Sequence, residues 1–286
     1  MASIGSTAME ERVAEYVGER VGLGELAGSS AGVIRTVLLS WVRFAGAPEW
    51  STGQVVEWVD QPAAANSRKS RLTKLRPFCQ WLVANDVIVR DPTLRVRRGP
   101  TVEMPPRCLH GDDVAAILSH CCDERCRVAV LLMAHCGLRI GETVAINGAD
   151  LDRRARSVEV RGKGGRGGVT RVMPVPGHVW RRLAGLAHDR GPVFRSELTG
   201  GRLTADRLRR LVTAAMVDAG VKSCAGDGVS PHSLRHTFAQ DLLDGGADVR
   251  LVQTGLGHRS LRSTELYLRR EPPGLREAME QRRYVA

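Results

Sequence analysis

Long apolar runs, lysines and aromatic rings are all scarce in this chain of 286 residues. No stretch reaches the roughly 18 consecutive apolar residues that a membrane span needs, so none is expected. The segment Met1 to Glu11 is polar and then acidic. It lacks the basic stretch and apolar core of a secretory leader, and export is not expected. Cysteine is present but odd in number, seven residues at 79, 108, 121, 122, 126, 136 and 224. Their spacing is not that of a disulfide framework, which fits a reducing cytosol. His120, Cys121, Cys122, Cys126, His135 and Cys136 raise the question of zinc. The spacing matches no standard finger and residues 112–136 read as two helices, so buried thiols are the expectation rather than a metal site. The glycine-rich run Gly162 to Gly168 is no phosphate-binding P-loop either, because it joins two strands instead of a strand and a helix. Tyrosine occurs only at 16, 267 and 284.

Positive charge is abundant. The net charge is +11, and of 42 basic residues only Lys69, Lys74, Lys163 and Lys222 are lysine. The rest are arginine, whose planar fork suits phosphate oxygens. Residues 1–106 hold 13 Lys and Arg against 11 Asp and Glu, and residues 107–286 hold 29 against 20. A polyanion partner is therefore indicated, nucleic acid before acidic membrane surface, with the excess in the second part. A basic but otherwise ordinary enzyme has the same composition.

The length suits two domains. Helices are expected at Glu10 to Arg20, Ser30 to Phe44, Thr52 to Val59 and Asn66 to Ala84. The second places Val33, Val37, Leu38 and Trp41 on one face, the fourth Leu72, Leu75, Phe78, Cys79 and Leu82. Asp91-Pro92 closes this part. The run Arg97 to Pro106 is rich in charge and proline, and Pro105-Pro106 cannot be helical. The division expected is a helical domain over 1–98, a linker over 99–106 and a second domain over 107–286. In the second domain, helices are expected at 111–119, 124–136, 178–187, 204–219, 232–244, 248–255, 260–268 and 274–282. A strand pair, Ser157 to Arg161 and Val169 to Val175, flanks the glycine turn. The fold class expected is mainly α, an all-helical domain followed by an α+β domain with a small antiparallel sheet.

Four short stretches carry chemistry. Gly137 can end a helix in the left-handed conformation, leaving Arg139 in the turn and Glu142 placed to brace it. A surface Arg with a helical Glu partner has the same pattern. Lys163 sits in a basic glycine turn, able to enter a DNA groove or simply to remain solvated. Ser230-Pro231 reads as the start of a helix, with His232 and Arg235 three apart near a helix N-terminus suited to a phosphate. His236 reads as a packed core histidine. Leu256-Gly257-His258 precedes Tyr267 by nine residues, and Tyr267 taken alone reads as a packing residue.

In sequence order, these pieces resemble the tyrosine recombinase family, the phage-integrase and Xer-like enzymes that share a catalytic fold with type IB topoisomerases. The likeness rests on His135 to Glu142, Gly162 to Arg166, Pro231 to Ala239, and Leu256 to His258 running on to Thr264 and Tyr267. It covers residues 107–270 in detail. Three positions depart from the pattern: Leu268 and Arg269, where many members have Thr-His, and Gly255, where an apolar residue is common.

The resemblance implies a mechanism. Tyr267 attacks a DNA phosphate to give a 3′-phosphotyrosine link and a free 5′-hydroxyl. Arg139 and Arg235 clamp the non-bridging oxygens, and His258 adds a donor. Lys163 protonates the leaving oxygen, His232 assists proton transfer or holds the phosphate, and Glu142 buttresses Arg139. No cofactor is implied, neither metal nor ATP. The helical domain would form one half of a clamp on double-stranded DNA, with Arg68, Lys69, Arg71, Lys74 and Arg76 as contacts. A solvated helical face is the plainer reading of those five. The tail from Pro272 to Ala286 would pass between subunits of a homotetramer on recombination sites, in the cytoplasm and on the nucleoid. Two other readings use the same residues: a type IB topoisomerase-like enzyme that nicks and relaxes DNA, and a catalytically silent DNA-binding module.

Overall fold

The computed structural model describes residues 6–26, 28–46, 49–62, 65–97, 107–162, 170–189 and 191–257. The chain divides into two compact units, residues 1–104 and 105–286.

The first unit is helical: α1 (Ser6–Gly22), α2 (Gly28–Ala45), α3 (Thr52–Asp60) and α4 (Ala65–Ala84). Its core is aromatic. Trp41 on α2 is fully buried, with the rings of Trp50 and Trp58 edge-on at 5.3 and 5.4 Å. Burying each such side chain stabilises the unit by about 1.5–3 kcal/mol. The α4 face expected from periodicity, Leu72, Leu75, Phe78, Cys79 and Leu82, is buried throughout. The α2 face is not. Leu38 and Trp41 are buried, but Val33 is 56% exposed. The packed stripe of α2 runs instead through Ala31, Ile34, Leu38, Trp41 and Val42, and Val33 falls to one side of it. Ser51 caps α3 through a reciprocal box with Gln54, which satisfies two otherwise orphan donors. After α4, Asp91 accepts from the Thr93 N–H and hydroxyl at 2.8 and 2.7 Å, fixing the turn at Pro92.

The second unit is built on α6 (Glu124–Cys136), whose buried residues run nearly all round the helix. Around it lie α5 (Gly111–Ser119), α7 (Ile140–Ala145), α8 (Gly177–Leu186), α9 (Ala205–Asp218) and α10 (Pro231–Asp244), with α11 (Val249–Leu256) against α10. A three-stranded antiparallel sheet, β1 (Leu151–Asp152), β2 (Ser157–Arg161) and β3 (Thr170–Pro174), is ordered β1-β2-β3. In its register Val158 pairs with Met173 and Val160 with Arg171. The mainly α class with a small antiparallel sheet is the one expected. The six-residue helix α7 and the two-residue strand β1 were not anticipated, being too short for a periodic signal. Cys121, Cys126 and Cys136 are buried free thiols, and burial pushes the Cys136 thiol up to about 12. Cys122, by contrast, is exposed. No helix among the described residues is long and apolar enough to cross a membrane.

Candidate active site

Helix α6 stops at Gly137, which takes the left-handed conformation at φ 61°. Its carbonyl and the following turn deliver Arg139 to the N-cap of α7. Glu142, one turn on, accepts from the Arg139 backbone N–H at 2.9 Å and from Arg139 Nη1 at 2.8 Å. The Arg139 side chain stays 36% exposed, whereas that of Glu142 is 4% exposed.

A buried carboxylate needs compensation, and two more arginines supply it. Arg171 on β3 grips both oxygens of Glu142, Nη2 to Oε2 at 2.9 Å and Nη1 to Oε1 at 3.3 Å. Arg235 on α10 brings Nη1 within 3.7 Å of Oε2. Burial alone would raise the Glu142 carboxyl. The hydrogen bonds from Arg171 and the Arg139 N–H, with the charges of Arg171 and Arg235, outweigh it and hold Glu142 below its ordinary range. Arg235 is itself 1% exposed. Its Nη1 donates to the Gly137 carbonyl and its Nη2 to the Leu256 carbonyl at 2.6 Å. One side chain thus ties the end of α6 to the end of α11.

His232 sits in the first turn of α10, where the Ser233 hydroxyl accepts from the Ser230 N–H at 3.2 Å and Pro231 opens the helix. Its ring meets His236 edge-on at 4.6 Å. The residue is exposed to solvent, yet partial desolvation by the groups around it, then the charges of Arg235 and Arg139, lower its pKa and favour the neutral imidazole at pH 7. The loop before α10 is pinned from within. Lys222 Nζ donates to Asp227 Oδ1 at 2.7 Å and to the carbonyls of Cys224 and Val229. Asp227 in turn accepts from the backbone N–H groups of Ser223, Cys224 and Val229.

The structure therefore brings Arg139, Glu142, His232 and Arg235 together. Lys163, His258 and Tyr267 lie outside the described residues, as do the helices expected at 260–268 and 274–282. The five basic residues of α4 belong to the first unit. Arg76 donates to the carbonyls of Thr93 and Val96 at 2.9 and 2.5 Å. Arg71 stacks 4.5 Å over Trp58 and donates to the Trp58 carbonyl. Arg68 donates to the Pro62 carbonyl at 2.9 Å. Lys74 contacts Ser70 one turn back on the same helix. Arg68, Arg71 and Arg76 thus serve the unit's own fold.

The stretch from 107 to 272 matches the model of the phage integrase family. Tyrosine recombinase XerC of Rhodospirillum centenum is 32% identical over 268 residues, which cover 89% of this chain and 72% of that protein. The chain belongs to the phage integrase family of tyrosine recombinases. It is a site-specific recombinase, a DNA strand-transferring enzyme. Solved integrases share the fold. A dimer of lambda integrase residues 75–356 bound to a COC′ core site superposes with TM-score 0.71 at 17% identity, covering 88% of this chain and 96% of that one. A lambda integrase tetramer bound to a Holliday junction gives 0.71 at 17%, covering 90% and 78%. The family match spans every residue singled out for catalysis and excludes α4. Within the recombinase the residue that sequence reasoning missed is Arg171. A signal existed: it alternates with Met173 and Val175 on the inward face of a strand, where a charge requires a buried partner.

Proposed function

We propose that Tyr267 is the nucleophile and that Arg139, Lys163, His232, Arg235 and His258 serve the scissile phosphate. The phenol oxygen bonds to phosphorus, the bond from phosphorus to the 5′-oxygen breaks, and a 3′-phosphotyrosine link remains. Lys163 supplies the proton to the departing 5′-oxygen, and neutral His232 takes up the proton that the phenol gives up. A free 5′-hydroxyl of the partner strand reverses these steps, so the link conserves the phosphodiester bond and no external energy source is required. A phenol is a weak nucleophile at neutral pH, so rate comes from stabilising the charge that builds on the non-bridging oxygens. Arg139 and Arg235 have that task, and a guanidinium with five donors can hold both a carbonyl anchor and a phosphate.

The observation that carries this reading is the cluster at Glu142. It holds Arg139 half-open to solvent with Arg235 and a neutral His232 beside it. The substrate is double-stranded DNA bearing the recombination site, and the working form is a homotetramer, with the tail from Pro272 passing between protomers. The lambda integrase tetramer on a Holliday junction supports that assembly by analogy. In the first unit, Lys74 on α4, whose ammonium reaches Ser70 on its own helix, is a candidate phosphate contact. The place of action is that of the DNA, the cytoplasm and the nucleoid.

The test is a nicked suicide duplex drawn from the protein's genomic neighbourhood, with a denaturing gel to detect a covalent protein–DNA adduct. Wild type should form it and Tyr267→Phe should not. An adduct that persists in Tyr267→Phe overturns the assignment of the nucleophile.

A further inference from the structure

Arg171 has no part in the chemistry outlined above, yet it lies at the crossing of the elements that carry that chemistry. It extends from β3, the strand that follows the segment bearing Lys163. Its Nη groups hold both oxygens of Glu142, and its Nε donates to the Gly255 carbonyl at 3.0 Å, in the last turn of α11. The side chain is 9% exposed. The chain leaves α11 through Gly257, left-handed at φ 62°, with His258 next in sequence. A Cβ at Gly257 would stand 2.8 Å from Arg171 Nη1 and 3.3 Å from its Cζ. The absence of a side chain there leaves space for the guanidinium.

We propose that Arg171 is a positioning residue for strand cleavage. It joins three pieces, the hairpin strand, the Glu142 brace of Arg139, and the end of α11 that leads to His258. Its charge has a second effect. Glu142 is a buried anion facing Arg139 and Arg235 as well. With Arg171 in place the carboxylate is already gripped on both oxygens. Without it the anion is left under-compensated in the interior, and it draws the two guanidinium groups assigned to the phosphate back onto itself. Lysine cannot reproduce this, since a point charge cannot span two carboxylate oxygens and a carbonyl at once.

The proposal rests on the catalytic reading above, and its test keeps the two apart. Wild type, Arg171→Lys, Arg171→Met, Glu142→Gln and the Arg171→Met/Glu142→Gln pair are compared on the nicked suicide duplex. Adduct formation is timed at saturating protein, DNA affinity is measured by gel shift, and folding by thermal melting. Arg171→Met is expected to slow adduct formation by on the order of 100-fold, the penalty of small misplacements at an active site, while affinity stays within about twofold. Arg171→Lys should recover part of the rate. The double variant should be no slower than the slower single, because both act through one contact.

Cleavage at the wild-type rate in Arg171→Met overturns the proposal. So does a loss shared equally by rate, affinity and melting temperature in both Arg171 variants, which marks a merely structural residue. Should Arg171→Met fail to fold, Arg171→Lys alone decides: a slowed rate at unchanged affinity supports the role, an unchanged rate overturns it. Absence of any Tyr267-dependent adduct in wild type overturns the catalytic reading and this role with it.

Discussion

Gly137 lies directly beneath the ring of Phe238: a Cβ at position 137 would stand 2.7 Å from Phe238 Cε1 and 3.1 Å from Leu256 Cδ2. The two elements that carry Arg139 and Arg235 approach each other closely because that position has no side chain. Gly137→Ala combines a left-handed backbone, which costs about 1–2 kcal/mol, with overpacking at about 1–3 kcal/mol. A destabilisation of roughly 2–5 kcal/mol is expected from these two sources, read as a lowered denaturant midpoint. A midpoint equal to wild type would mean that Phe238 moves aside without penalty.

His232 offers a test of the site's electrostatics. Its pKa is depressed, by partial desolvation first and then by Arg235 and Arg139. The folded protein therefore binds fewer protons than the unfolded chain just below the ordinary imidazole value of about 6.5. The cost of charging this histidine beside two arginines appears as pH falls through that value. The His232 ring resonance should titrate below the ordinary midpoint, and Arg139→Ala should move the midpoint up. A midpoint unmoved by Arg139→Ala would deny that the two side chains share one site.

Asp227 governs acid behaviour of the loop that leads into α10. The Lys222 hydrogen bond, aided by three backbone N–H donors, holds its carboxyl well below the usual aspartate range despite some desolvation. A depressed carboxyl contributes stability above its unfolded pKa of about 3.9, and that contribution disappears as pH falls through the folded value. Asp227→Asn should flatten the acid limb of stability measured by urea unfolding between about pH 2 and 5, while lowering stability at pH 7. An unaltered acid limb would place the proton uptake elsewhere.

The basic residues of α4 should separate into two kinds. Arg76→Ala removes donors to the carbonyls of Thr93 and Val96 and should lower the melting temperature of the first unit. Arg71→Glu should do the same, since Arg71 stacks on Trp58. Lys74→Glu should leave melting unchanged and weaken DNA binding. Loss of a phosphate contact there reduces the salt slope of log K by about 0.9. Equal affinity at moderate salt would remove Lys74 from the interface.

The helix ends and starts that carry Arg139, His232 and Arg235 were legible because each has a local signature. Gly137 before Arg139, proline after Ser230, and the His232/Arg235 spacing each announce a helix end or a helix start, and α6, α10 and α11 begin and end within a residue or so of expectation. Contacts between distant parts of the chain were not legible. Arg171 and Glu142 are 29 positions apart, and nothing in either neighbourhood names the other. The α4 arginines illustrate the same limit from the opposite side. Five basic residues in nine look like one charged face, but Arg71 and Arg76 find a tryptophan and two carbonyls that only tertiary packing supplies. Val33 fits an apolar spacing of its helix and is still exposed, since spacing does not say which of two adjoining stripes a neighbour covers, and the covered one runs through Ala31, Ile34 and Leu38.

The aromatic core of the first unit makes this recombinase spectroscopically lopsided. Four of the five tryptophans, Trp41, Trp50, Trp58 and Trp81, fall in residues 1–104, and Trp180 alone falls in the rest. Intrinsic fluorescence of the whole chain is therefore chiefly a signal from the helical unit. Replacing Trp180 with phenylalanine would remove the tryptophan emission of the catalytic unit, so that tryptophan emission and far-ultraviolet circular dichroism, followed together, would distinguish the unfolding of one unit from that of the other in the intact protein.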